Sequence, residues 1–298
     1  MKRLLFFVLC IYAITSATAQ YSYMDFYEDA QKGDPEAQHK LGVCYALGLG
    51  VEKNQFQSLI WYHKAADQGY APALNSLGYC YKNGTGVEVD MNQAFIWYKK
   101  AADKGYADAQ KNVGFCYYYG YGTAKSLVQA INWWGKAAEQ DEVEALDMLA
   151  FCYRDGDGVE QNPSKAYNLW LRAAKKDYAD AQNSLGYCYH RGFGVKEDHN
   201  EAFRWWMKSA KQGNVNSLER VAYCYAAGDG VEKDWATAAL YWFQAAEKGD
   251  ATSQYWLAIC YKDGIGFKKD LIQAKEWMQK SANQGYDAAK KALDEMFD

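Results

Sequence analysis

Leu77-Gly78-Tyr79-Cys80-Tyr81-Lys82-Asn83-Gly84-Thr85-Gly86-Val87 is the stretch that decides the fold, because it returns with small changes in seven copies. Its cysteine sets the interval. Cys44, Cys80, Cys116, Cys152, Cys188, Cys224 and Cys260 follow one another every 36 residues. Self-similarity at such a period marks a chain of stacked supersecondary units, none able to bury its apolar face alone. The expected fold class is therefore all-α, a right-handed α-solenoid (superhelix) of helix-turn-helix repeats.

The second copy shows why each unit is a helical hairpin. From Ala71 to Asn83, apolar residues Ala73, Leu77, Cys80 and Tyr81 are spaced by three and four, as on one helical face. Gly84-Thr85-Gly86-Val87 ends that helix, since glycine accepts the left-handed conformation of a C-terminal cap. Asp90 then opens a second helix as N-cap, with Gln93 in the place of a capping-box partner. The seven equivalents of this cap are Asn54, Asp90, Ser126, Asn162, Asp198, Asp234 and Asp270, all from the preferred set. Pro163 follows Asn162 at the first helical position, where its missing N–H matters little.

The second helix is expected to bury Ala94, Ile96, Trp97, Ala101 and Ala102 and to end at Gly105. Gly33, Gly69, Gly213, Gly249 and Gly285 play the same part, whereas Asp141 and Asp177 replace glycine and should cap less well. Small residues at Gly42, Gly78, Gly114, Ala150, Gly186, Ala222 and Ala258 let helices approach closely. Trp61, Trp97, Trp133, Leu169, Trp205, Tyr241 and Trp277 are the bulky row expected between neighbouring repeats. The resulting organisation is a leader at 1–19, an N-terminal capping helix at 20–33, repeats over 34–285 and a C-terminal capping helix at 286–298.

The leader reading rests on Lys2 and Arg3, the apolar run Leu4 to Ile14 and the small-residue site Ala17-Thr18-Ala19. It predicts an exported protein, periplasmic or extracellular, without membrane insertion after cleavage, because the run is shorter than the ~20 residues of a span. Without Lys2 and Arg3, 31 of the 33 basic residues face 37 acidic ones, a net charge of −6. No basic surplus is present to neutralise phosphates, so nucleic acid is excluded as a partner.

These residues closely resemble the Sel-1-like repeat family, a relative of the tetratricopeptide repeat. The shared pattern in the second copy is Ala73, Leu77, Gly78, Tyr81, Gly84, Gly86, Val87, Ala94, Trp97, Tyr98, Lys100, Ala101, Ala102 and Gly105. The resemblance implies an adaptor that binds a protein or peptide partner on a concave face. It departs from a cysteine-rich branch whose paired cysteines staple each hairpin, since one cysteine per repeat is present here. Neighbouring equivalents at a helix-packing distance of ~10 Å exceed disulfide reach. Each thiol then reads as a small buried apolar residue.

Superposition on the tetratricopeptide pattern places Val43, Tyr79, Phe115, Phe151, Tyr187, Tyr223 and Ile259 on the inner wall. This ladder is either a groove for a peptide or packing between first helices. Varied polar positions flank it, with His39, Asn75, Lys111, Asp147, Asn183, Glu219 and Tyr255 on one side. Ala46, Lys82, Tyr118, Arg154, His190, Ala226 and Lys262 run on the other. The candidate partner-binding set is Tyr79, Phe115, Phe151, Tyr187, Tyr223, Lys111, Tyr118, Arg154 and His190.

No catalytic residue, metal ligand or cofactor is expected. Gly84-x-Gly86 follows a helix, which makes it turn chemistry and not a dinucleotide loop. Asp155-Gly156-Asp157-Gly158 lacks the remaining calcium-loop ligands, and His39, His63, His190 and His199 fall in no metal-ligand spacing. Two alternatives stay open: a cell-wall glycan binder using aromatic stacking, and a hydrolase of the type ascribed to the cysteine-rich relatives.

Overall fold

A computed structural model of the chain describes residues 23–297, so the leader expected over 1–19 lies outside the described residues. Sixteen α-helices and no strand are found among the described residues. The chain divides into two compact units between Ala145 and Leu146. The first contains α1 (23–31), α2 (Pro35–Leu47), α3 (Gln55–Asp67), α4 (Ala71–Asn83), α5 (Met91–Asp103), α6 (Ala107–Tyr119) and α7 (Leu127–Glu139). Helix α8 (Val143–Asp155) carries the division. The second continues with α9 (Pro163–Ala174), α10 (Ala179–Arg191), α11 (His199–Lys211), α12 (Val215–Ala227), α13 (Trp235–Glu247), α14 (Ala251–Asp263), α15 (Leu271–Asn283) and α16 (Asp287–Phe297). None of the described helices is long and apolar enough to cross a membrane.

All seven expected N-caps form. Asn54, Asp90, Ser126, Asn162, Asp198, Asp234 and Asp270 each accept a backbone N–H of the first turn with the side chain. The first helix of a repeat ends on the carbonyl of its cysteine. The N–H groups of Gly48 and Leu49 both donate to the Cys44 carbonyl at 2.8 and 2.9 Å, and the same fork recurs at Cys116, Cys152, Cys224 and Cys260. The second turn glycine then lies against the preceding repeat. A Cβ on Gly86 would stand 2.6 Å from the Gln55 carbonyl oxygen, closer than any side chain tolerates. Gly122, Gly194, Gly230 and Gly266 seat their turns on the helix behind in the same way.

The buried row differs from the expected one by a single residue. In α5 the core takes Ala94, Tyr98, Ala101 and Ala102; Tyr98 is 3% exposed, while Ile96 is 42% exposed and Trp97 only partly covered. Its equivalents Tyr62, Trp134, Trp170, Trp206, Trp242 and Met278 are buried throughout. The bulky row named above divides instead. Trp61, Trp133 and Trp277 are buried, and Trp97, Leu169, Trp205 and Tyr241 lie at the margin. Lysines one turn on lie over five of these tryptophans, as with Lys64 on Trp61 at 3.8 Å and Lys280 on Trp277 at 3.6 Å. The lysine stem thus covers ring surface that the next helix does not.

The second-helix ends at Asp141 and Asp177 adopt φ 59° and 60°, the left-handed turn that glycine makes elsewhere. They complete the turn without glycine's freedom, with their N–H groups donating to Ala138 and Ala174 at 3.0 and 3.1 Å as glycine does elsewhere.

Candidate functional site

The aromatic ladder divides by burial. Tyr79 is 57% and Tyr223 48% exposed, so two rungs are open to a partner. Phe115, Phe151 and Tyr187 are half-buried and set edge-on against Trp134, Trp170 and Trp206 at 5.4–5.5 Å. The row therefore combines packing with surface. Each middle ring presents one edge outward while a buried tryptophan of the same repeat fixes its tilt.

The first flank is largely engaged. Lys111 is 14% exposed and lies 3.2 Å from Glu142 and 3.3 Å from Glu144. Burial alone would lower the Lys111 ammonium, but the two carboxylates outweigh it and hold it above the usual lysine range. Burial pushes the Glu142 carboxyl up, against the Ala145 N–H and Lys111. Elsewhere on this flank Asn112 donates to Asn75 at 2.9 Å, His39 meets Ser76 at 3.0 Å, and Trp170 donates to Asp147 at 2.8 Å. The residues vary because each answers a particular neighbour in the adjoining repeat or helix.

The second flank is open at Lys82, Tyr118 and Arg154 and closes toward buried Ala226. Tyr118 is exposed and joins Tyr119 (4.9 Å) and, through it, Tyr121 (5.2 Å) in a tyrosine cluster. Arg154 lies 4.7 Å over the Phe151 ring and grips Asp155 through two 2.7 Å hydrogen bonds. The Asp155 carboxyl is held below its ordinary range, first by that hydrogen bond. It serves the guanidinium there.

Arg154 also walls a cavity of about 420 Å³ in the second unit, together with Trp170, Tyr187, Arg191 and Phe193. That volume falls in the range of small-ligand and side-chain pockets. Two guanidinium groups at an aromatic cleft suit a carboxylate on an apolar stem. Arg191 and Phe193 were not among the sequence candidates. Their signal was available, since the place of Phe193 changes character in every repeat: Leu49, Thr85, Tyr121, Asp157, Phe193, Asp229, Ile265.

One repeat on, His190 meets His199 at 4.9 Å between ring centroids and Asp229 at 3.5 Å. His199 Nδ1 touches the same carboxylate, and its Nε2 lies 2.9 Å from Glu197. The Glu197 and Asp229 hydrogen bonds, in that order, raise the His199 imidazole above its usual value. Histidines with no metal-ligand spacing along the chain are brought together with Asp229 by stacking.

The seven repeat cysteines are buried and carry thiols, not disulfides. Burial pushes Cys80, Cys116 and Cys152 up to about 11 and Cys188, Cys224 and Cys260 up to about 12. Thiols so placed are poor nucleophiles.

The Sel1 repeat model matches seven consecutive segments, from residues 35–70 to 251–286. The crystal structure of c5321, a protective antigen present in uropathogenic Escherichia coli strains and displaying an SLR fold, is similar at 34% identity and TM-score 0.83. That match covers 93% of this chain and 59% of the antigen, so this chain spans well under two thirds of it. A Sel1 repeat protein from Oxalobacter formigenes is similar at 30% identity and TM-score 0.73, covering 82% of this chain and 96% of that one. Comparison with the curated proteins finds no match.

Proposed function

The chain belongs to the Sel1 repeat family, and from that premise we propose that it is a non-catalytic scaffold whose ladder surface binds an extended peptide carrying a carboxylate. Sel1 repeat proteins generally mediate protein–protein interaction. The observation that carries the finer reading is the cavity walled by Arg154, Trp170, Tyr187, Arg191 and Phe193. Arg154 and Tyr187 belong to the ladder and its open flank. The aromatic walls would receive an apolar stem while Arg191, exposed at the end of α10, meets the charge. Arg154 shares its guanidinium with Asp155 and adds a second positive edge.

The non-catalytic part rests on the thiols. Their burial and raised ionisation make the seven repeat cysteines poor nucleophiles. The leader-like residues 1–19 support an exported protein that meets its partner in the periplasm or outside the cell.

Panning a displayed peptide library on the mature chain tests the reading. Selected peptides should be enriched in Asp, Glu or a free C-terminus. Their affinity should fall about tenfold or more in an Arg154→Ala/Arg191→Ala variant of unchanged helicity. Equal binding to that variant, or capture of purified cell-wall glycan in place of peptides, would overturn it.

A further inference from the structure

We propose that His190, His199 and Asp229 form a binding site for a divalent transition ion of the zinc class, bridging the fifth and sixth repeats. The proposal is independent of peptide binding. The three residues come from separate elements: the last turn of α10, the first residue of α11 and the turn after α12. One potential ligand atom from each lies within 4.8 Å of the others. Tetrahedral nitrogen and oxygen ligands around zinc stand about 3.3 Å apart, so side-chain rotation must close the widest spacing by up to about 1.5 Å and open the His199–Asp229 contact.

The hydrogen bonding is incomplete in a way that a cation completes. His190 Nδ1 is buried and has no hydrogen-bond partner, although the Asp229 carboxylate is 3.5 Å away. A buried ring nitrogen facing a carboxylate without a hydrogen bond is an unusual arrangement. On the second histidine, Glu197 stands where it accepts the Nε2–H. The Nδ1 of His199 meets the Asp229 carboxylate in turn, so both ring nitrogens face carboxylates and a cation would take the place of the Nδ1 proton. A metal ion between these groups would accept from both nitrogens and from the carboxylate, with water in the fourth place. Glu197 would then supply the carboxylate–histidine support common behind metal-bound imidazoles.

The frame is rigid. A Cβ on Gly230 would overlap the carbonyl oxygen of His199, so the turn bearing Asp229 rests directly on the start of α11. The Asp229 N–H donates to the Cys224 carbonyl at 2.9 Å, and Trp206 backs the His190 ring at 5.5 Å. Of the equivalent trios elsewhere, Lys82/Met91/Tyr121 and Arg154/Pro163/Phe193 hold no such ligand, and Tyr118/Leu127/Asp157 holds a single carboxylate. The shared backbone geometry is thus armed for metal at one junction.

Calorimetric titration of the chelator-stripped mature chain with zinc chloride should show one equivalent bound. Asp229→Asn and His190→Gln should each weaken binding about tenfold or more, and Glu197→Gln about tenfold. Melting curves without metal establish that each variant folds. Cobalt(II) loading should give visible bands without the strong near-ultraviolet absorption of a thiolate ligand. Absence of a stoichiometric site, equal affinity in Asp229→Asn, or a thiolate band would overturn the assignment.

Discussion

Gly78 and Tyr98 meet backbone against ring: a Cβ on Gly78 would lie 2.5 Å from Cδ1 of the tyrosine. This contact brings the two helices of the hairpin together, and Gly42 with Tyr62 repeats it at 2.6 Å. The aromatic ring fills the space where a side chain would otherwise project. Gly78→Ala should therefore overpack the hairpin and destabilise the fold by about 1–3 kcal/mol. Gly135, in α7, has nothing within 4 Å of its missing Cβ. Gly135→Ala should stabilise by about 0.5–1 kcal/mol. Urea unfolding of both variants reads the opposite signs.

Asp177 holds φ 60° at a helix end. Its side chain gains only a long 3.4 Å contact from Gln182 in return. Asp177→Gly should relieve the left-handed strain and raise stability by about 1 kcal/mol. A lower melting temperature in this variant would show that the aspartate contact outweighs the strain.

The buried thiols predict an alkaline weakness. The folded chain keeps protons on Cys80 and Cys116 up to about 11, whereas the unfolded chain releases them near the ordinary thiol value of 9.0. Between those values the folded state binds more protons, so stability falls as pH rises from 9 toward 11. Melting temperatures should drop across that window, and the drop should shrink in Cys80→Ala/Cys116→Ala. At pH 8 the native chain should react slowly with a thiol reagent and fully in urea. Rapid native labelling would contradict the burial.

Much of this fold was legible because its cues are local. Each of the seven N-caps is a single residue beside a glycine turn, and all seven hold. The buried aromatic was misplaced by one residue because Trp97 and Tyr98 are adjacent and equally bulky. The alanine spacing does not resolve it, because Trp97 at i+3 and Tyr98 at i+4 from Ala94 both lie on the face of Ala101 and Ala102. A second period was also present. Gln38, Gln110, Gln182 and Gln254 recur every 72 residues, each accepting from Gln68, Gln140, Gln212 or Gln284 at 2.7–2.9 Å. Leu74, Leu146 and Leu218 take that place in the alternate repeats. The histidine–aspartate group was not legible, because its members are joined by stacking across a turn and not by spacing along one helix.

The most direct test of the ladder surface as binding site is positional crosslinking in the producing cell. A photoreactive residue replaces Arg191 beside the cavity or, as control, exposed Leu240 on the second-helix surface of α13. The account predicts a partner crosslink from position 191, suppressed by an excess of the selected acidic peptide, and none from position 240. Equal crosslinking from both positions, unaffected by the peptide, would contradict it.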